Sequence, residues 1–454
     1  MEERNSGTIL NEKSFLVTVL LPQRPTGGVN ILGETGEEPR DELRGLAEAA
    51  GTVVVGEMVQ RRSAIEPSTY IGSGKVLELK GMLEKTEADV VIFDNDLAPG
   101  QTRNLEKELN VKVLDRTELI LDIFASRAQT KEARLAVELA QLEYSLPRLK
   151  RMWTHLSRQK KGVGLRGPGE TQLETDRRLA QKRIADLKAE LTVVQQRKER
   201  EVKSRSQTRT VSLVGYTNAG KSTLLNALTG SDVYVKDQLF ATLDTRTRRW
   251  TLPGWGPILL SDTVGFVRNL PHHLVASFRA TLEEARCADL LLHVADGSNP
   301  MVMFQIQAAY EVLEHLGIEE KDTILVINKI DAFKSMDENG ELPTQYNLQA
   351  LLNRYPNAMG ISARTGEGLP ELAQAVSDML SRHFPTVEVE MSITNGKLAA
   401  YLANHGEVFS RQYRDDGSLV IRCRIAGSFL GKIRNEEMKM TLIDGELPVF
   451  EEEF

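Results

Sequence analysis

The chain has 454 residues, 41% hydrophobic and 27% charged, enough for about three domains of roughly 150 residues that each bury a core, which excludes a disordered or fibrous protein. Two cysteines, Cys287 and Cys423, rule out a disulfide framework or a cysteine-based metal site and point to a reducing, cytoplasmic setting. No apolar run approaches the roughly 20 residues that cross a bilayer, so no membrane span or secretion is expected. The net charge of −7 hides an asymmetry. Between Arg127 and Arg209 there are 21 basic and 10 acidic residues, a local +11 that leaves the rest at −18.

From Phe15 to Asp115, β-branched runs (Phe15–Leu21, Thr52–Val55, Val90–Phe93, Lys112–Leu114) alternate with helical patterns at Glu42–Ala50, Val76–Lys85 and Gln101–Leu109. This alternation predicts a small parallel α/β domain over 1–116. Gly72-Ser73-Gly74-Lys75 lacks phosphate-loop spacing and reads as a helix start. Over 117–208 the pattern becomes helical. Leu135, Leu139, Leu142, Leu146, Leu149, Trp153 and Leu156 form one stripe, and Leu173, Ala180, Ile184, Leu187, Leu191 and Val194 a second. The break between them, Lys160 to Glu170, holds four glycines and Pro168, so an antiparallel helical hairpin with a basic Gly-rich loop is predicted. Pro147 predicts a kink, and Thr171 with Glu174 a capping box that restarts the helix. Strands and helices alternate again over 209–384, and 385–454, with strands at Val387–Ile393, Val408–Tyr413 and Leu419–Ile425, reads as a small α+β domain.

Chemistry concentrates in the third region. The buried run Val211 to Val214 leads into Gly215-Tyr216-Thr217-Asn218-Ala219-Gly220-Lys221-Ser222 and then a helical pattern. This is G-x-x-x-x-G-K-[ST] in its strand–loop–helix context: backbone amides wrap phosphates, Lys221 neutralises them and Ser222 can hold Mg²⁺. Thr323 to Asp331 ends a buried strand with Asn328-Lys329-Ile330-Asp331. A carboxylate at Asp331 accepts two hydrogen bonds from the N1–H and amine of guanine, which adenine cannot supply. Between these motifs an apolar strand delivers Asp262-Thr263-Val264-Gly265 near the γ-phosphate. Downstream, Ser362-Ala363-Arg364 can close over the base.

This ordered set resembles the signature of the translation-factor-related P-loop GTPases. Longer stretches narrow the resemblance: Val113 to Arg127, Leu139 to Arg148, Gly164 to Arg177, Phe240-Ala241-Thr242-Leu243-Asp244 and Asp262 to Phe266 are similar to the HflX family of ribosome-associated GTPases, of the Obg-HflX-like class. The resemblance is dense over 15–384 and looser beyond. It implies a Mg²⁺-dependent GTP hydrolase in which Thr242, one of four threonines between 242 and 251, joins Ser222 on the metal and Asp262 reaches it through water. Catalytic roles then fall to Lys221, Thr242 and Gly265.

Many GTPases place a water-orienting Gln directly after the D-x-x-G glycine; here Phe266 stands there, so slow intrinsic hydrolysis, stimulated by the target, is expected. Asn218 either helps hold K⁺ beside the phosphates or only stabilises the loop. His272 and His273 read as surface residues. Around the hairpin tip Arg148, Lys150, Arg151, Arg158, Lys160, Lys161 and Arg166, followed by Arg177, Arg178, Lys182 and Arg183, suit RNA phosphates, and the aromatic-poor loop argues for shape over base readout. The family resemblance implies a monomer that binds the large ribosomal subunit and its RNA, dissociates ribosomes under GTP and leaves on hydrolysis to GDP. The alternatives are a GTP-dependent assembly or scaffold factor without splitting activity and, more remotely, a GTPase within an RNA-modifying enzyme.

Overall fold

The computed structural model describes residues 12–21, 40–152, 168–204, 209–230, 240, 245–253, 256–268, 284–315, 317–318, 322–332, 348–381, 384–414, 416–425, 429 and 438–444. They form two compact units. The first comprises residues 1–199, 236–244 and 264–282; the second comprises 200–235, 245–263 and 283–454.

In the first unit, β1 (Lys13–Leu20), β2 (Val53–Arg61), β3 (Val90–Phe93) and β4 (Lys112–Asp115) make a sheet of order β2-β1-β3-β4. Every pairing is parallel. The helices α1 (Arg40–Ala49), α2 (Ser73–Thr86) and α3 (Pro99–Leu109) are its crossovers, the α/β arrangement expected. Helix α2 starts after Gly72, so the Gly-Ser-Gly-Lys segment is the helix start the spacing predicts. Two apolar clusters pack on this sheet. One holds Phe15, Val17, Leu79, Val91, Phe93 and Leu105. The other gathers Leu16, Leu43, Leu46 and Ile92 with residues of α4 (Arg116–Arg127) and α5 (Lys131–Met152), reaching Ala140.

Phe240, Val264 and Val267 complete that second cluster. The Phe240 ring meets Phe124 edge-on with centroids 4.6 Å apart. Beside them runs a buried ion network. Arg116, among the largest fully buried side chains, donates to Asp94 at 2.6 Å and also pairs with Glu42. Arg268 donates to the other Asp94 oxygen, and its backbone N–H reaches Glu42 Oε1 at 3.4 Å. Charges taken from water in this way persist only because each is paired.

The hairpin consists of α5 and α6 (Pro168–Ser204). Leu135, Leu139 and Leu187 are buried against one another, flanked by Leu142, Ile184 and Leu191, as the two stripes require. Arg183 forks onto Glu138 at 2.7 and 2.8 Å, and Lys188 pairs with Glu143 at 2.8 Å. Helix α5 continues past Pro147. Helix α6 begins at Pro168, three residues before the restart expected at Thr171; proline at a first helical position is pre-set for the turn. Trp153, Leu156 and residues 158–167 lie outside the described residues. Arg148 departs from its expected role at an RNA surface. It pairs with buried Asp115 at 2.7 Å and lies 4.0 Å over the Tyr144 ring, because Asp115, which also caps α4, needs a cation. Arg177, Arg178 and Lys182 are exposed.

The second unit holds a six-stranded sheet of order β10-β9-β8-β5-β7-β6: β5 (Thr210–Gly215), β6 (Arg246–Leu252), β7 (Gly256–Asp262), β8 (Leu290–Asp296), β9 (Thr323–Asn328) and β10 (Ala358–Gly360). It is parallel except for the edge strand β6. The helices α7 (Lys221–Thr229), α8 (Val302–His315), α9 (Leu348–Arg354) and α10 (Leu369–Ser381) accompany it. A separate antiparallel sheet of order β12-β13-β11-β14 follows: β11 (Thr386–Ser392), β12 (Gly406–Tyr413), β13 (Ser418–Ile425) and β14 (Met438–Asp444). Leu398 and Leu402 of α11 (Gly396–His405) pack on Val387, Val389, Ile421 and Cys423 there. No helix among the described residues is long and apolar enough to cross a membrane.

Candidate functional site

Strand β5 is buried from Val211 to Gly215 and ends in a loop whose backbone only certain residues tolerate. Gly215 has φ 141°, and a Cβ there would stand 2.1 Å from the Val294 carbonyl oxygen. Gly220 has φ 89° and would drive a Cβ to 2.3 Å from Asn328 Nδ2. Asn218 is exposed with φ 60°, a left-handed conformation that asparagine adopts more readily than most residues. Tyr216, Thr217 and Ala219 are buried. The loop wraps Lys221, whose Nζ donates to the carbonyls of Gly215 at 3.0 Å and Tyr216 at 2.8 Å. Burial lowers the Lys221 pKa to about 8, against the opposing pull of Asp262.

Ser222, in the first turn of α7, donates to Asp262 Oδ2 at 2.5 Å. Asp262 is delivered by the end of β7, and the next residue, Thr263, anchors it by donating to the Leu213 carbonyl at 2.7 Å. The Thr263 side chain is therefore engaged in the sheet. Ser222 and Asp262 place a hydroxyl and a carboxylate together, hard oxygen donors of the type Mg²⁺ takes. Among the described residues no group of three His, Cys, Asp or Glu side chains forms a metal cage.

Strand β9 brings Asn328 to the phosphate loop. Its Nδ2 donates to the Ala219 carbonyl at 2.9 Å, and its Oδ1 accepts from Ala363 N–H at 3.0 Å. The Ile330 N–H donates to the Ile361 carbonyl at 3.1 Å. Asp331 Oδ1 accepts from Ser362 Oγ at 2.7 Å, and Arg364, largely exposed, pairs with Asp331 Oδ2 at 3.0 Å. The motifs at 215–222, 262–263, 328–331 and 362–364, scattered over 150 residues of sequence, thus converge within the second unit.

Phe240, Val264 and Gly265 belong to the first unit, where Phe240 and Val264 are core residues and Gly265 is buried. Phe266 is likewise buried, 2% exposed, the anchored state open to a phenyl ring that cannot orient water. Ala241, Thr242, Leu243 and Asp244 lie outside the described residues, as do His272 and His273. Sequence reading misses Asp296, which ends the buried strand β8 as Asp262 ends β7 and pairs with Lys329 at 2.7 Å. The available signal is the same: an apolar strand closing on an aspartate.

Four family profiles match in chain order: a GTP-binding GTPase N-terminal domain at 37–125, a GTP-binding GTPase middle region at 127–205, a 50S ribosome-binding GTPase at 210–329 and an HflX C-terminal domain at 348–439. GTPase HflX of Lacrimispora saccharolytica is 44% identical over 84% of this chain and 88% of its own. GTPase HflX of Escherichia coli K12 is 43% identical over 86% and 90%. Among solved structures, a GTP-binding protein of Sulfolobus solfataricus in complex with GDP is 25% identical over 82% of this chain and 99% of its own, with a TM-score of 0.41, too low to bear on the site. Four successive family domains and more than 40% identity across most of both chains place this protein in the HflX family of GTPases.

Proposed function

We propose that this GTPase binds the large ribosomal subunit and, with GTP bound, dissociates ribosomes into subunits, hydrolysis then allowing its release. The observation that carries the reading is the membership of Phe240, Val264, Val267 and Arg268 in the first unit. Segments that respond to a γ-phosphate in P-loop GTPases are here core residues of the unit that also holds the N-terminal sheet and the hairpin. A nucleotide-dependent rearrangement of them has to repack that core. Nucleotide drives separation only through contacts that differ between two states, and such repacking supplies them. The profile over 210–329 carries a 50S ribosome-binding description, and a basic hairpin suits RNA phosphates.

In this reading the amides of 215–222 and the Lys221 ammonium hold the phosphates. Asn328, Lys329, Ile330 and Asp331 with Ser362, Ala363 and Arg364 enclose and read guanine. Ser222 would hold Mg²⁺ directly and Asp262 through water, joined by Thr242 as the family resemblance implies; the ion would supply charge neutralisation at the phosphates. The buried Phe266 leaves water orientation to a group that the ribosome supplies or reorders, so phosphate release rises at least about tenfold when ribosomes are added. If Asn218 holds K⁺, hydrolysis is faster in K⁺ than in Na⁺ at equal ionic strength. Asn218→Gly, which keeps the left-handed backbone and removes the amide, abolishes that difference.

The deciding experiment is sucrose-gradient sedimentation of intact ribosomes with the protein and GTP, a non-hydrolysable GTP analogue or GDP. Free subunits with GTP and the analogue, but not with GDP, support the proposal. Comigration with large subunits without dissociation replaces it with an assembly or scaffold role.

A further inference from the structure

Asn328 is fixed by the Ala219 carbonyl and the Ala363 N–H, and Asp331 by Ser362 and Arg364. Between them Lys329 has φ 65°, a left-handed backbone that a lysine rarely adopts. Its Nζ is held 2.7 Å from Asp296 Oδ2. Asp296 is itself immobilised. Its Oδ1 accepts from the Ser298 N–H at 3.0 Å and from Ser298 Oγ at 2.6 Å. Its backbone is registered against Asn328 in the β8–β9 ladder, and the Gly297 N–H donates to the Asn328 carbonyl at 2.9 Å. The carboxylate is 12% exposed and the lysine side chain 32%. A backbone held in an uncommon conformation with its side chain tied at the far end is over-determined, as segments that meet a ligand often are.

We infer that Asp296 is a positioning residue for guanine-nucleotide binding that acts through Lys329; the inference rests on the reading of Asn328–Asp331 as the base-binding segment. An unrestrained lysine stem samples many rotamers and loses that freedom when a ligand packs on it. With its ammonium tied to Asp296, the four-methylene stem of Lys329 is already ordered and offers the face of a purine a fixed apolar wall. Asp331 reads the edge of the base; Asp296 determines how well any purine packs beside it. The two carboxylates therefore separate functionally, Asp331 governing which base is preferred and Asp296 governing affinity for all of them.

The test measures binding of GDP, inosine diphosphate and xanthosine diphosphate to the full chain by equilibrium titration. Asp296→Asn keeps an acceptor oxygen for Ser298 and replaces the oxygen that accepts from Lys329 with an amide NH2; it is expected to weaken all three by the same factor, about threefold to tenfold, with the thermal midpoint unchanged. In a Lys329→Ala background Asp296→Asn is expected to cause no further loss. Unchanged GDP affinity in Asp296→Asn overturns the inference, as does an undiminished loss in the Lys329→Ala background, which would place the effect in the Ser298 turn. Asp296→Glu, which keeps a carboxylate for Lys329, serves if the asparagine variant does not fold: affinity within about twofold of wild type supports the inference, and a loss equal to that of Lys329→Ala overturns it. Asp331→Asn tests the underlying reading separately, by shifting preference from GDP toward xanthosine diphosphate, whose C2 carbonyl an amide can donate to. Absence of that shift counts against the base-binding segment whatever Asp296 does.

Discussion

His293 lies buried on β8 with its ring edge-on to Tyr310, centroids 4.9 Å apart. Burial first, and the nearby Lys221 charge second, push its pKa down to about 3. In the unfolded chain a histidine titrates near 6.5. The unfolded state therefore binds the extra proton as pH falls through 6.5, and the folded state does not until about 3. Stability of the second unit is predicted to drop across that window by about 1.4 kcal/mol per pH unit at most. Glu118 in the first unit has the opposite sign. Burial and the neighbouring Asp115 raise its pKa to about 7, so its contribution is full below the unfolded carboxyl value near 4.3 and is lost as pH rises through about 7. Denaturant melts at pH 7.5, 6 and 5 check both: His293→Leu flattens the acid limb, and Glu118→Gln flattens the limb between pH 4.5 and 7. Lys221→Ala removes a buried cation from the phosphate loop, and GDP binding by titration is expected to fall about 30-fold or more.

Among the elements, the phosphate loop is the clearest case of geometry fixed by residue type. Gly215→Ala adds a Cβ that overlaps the Val294 carbonyl at a φ that side chains avoid, so β5 and β8 must separate; a loss of about 3 kcal/mol or more by thermal unfolding is predicted. That loop was readable because its pattern is local: a buried strand, glycines at the turns and a helix, all within 20 residues. Strands β1, β3, β5 and β9 were equally readable as unbroken apolar runs. Strand β6, Arg-Thr-Arg-Arg-Trp-Thr-Leu, escapes such reading because it is an antiparallel edge that buries only Trp250 and Leu252. Strand β2 runs on to Arg61, past the β-branched run that announces it, since most of its residues are only half-buried. The tie between Asp296 and Lys329, like the capture of Arg148 by Asp115, is a contact across space with no spacing to betray it.

At the scale of the whole molecule, the first unit draws its core from three separated stretches of chain. Arg116→Met would take the buried guanidinium away from both Glu42 and Asp94. Removing one member of such a network costs about 3–5 kcal/mol, to be read as a lowered midpoint of the transition that also shows the Glu118 pH dependence. Arg268→Ala removes another member of the same network and lowers that midpoint too; below it, GDP affinity is expected to stay within about twofold of wild type while subunit release in the gradient falls. Normal release by Arg268→Ala would show that this contact transmits nothing.

The same patchwork core has a consequence during synthesis. When residue 199 leaves the ribosome the residues of the N-terminal sheet and hairpin have been made, but Phe240, Val264 and Val267, which complete the cluster that holds Phe124, have not. At about 5–20 residues per second, the interval until residue 282 emerges is roughly ten seconds. For that time the nascent chain exposes an unfinished apolar surface, the kind of surface that chaperones shield, before the residues of the nucleotide site are complete.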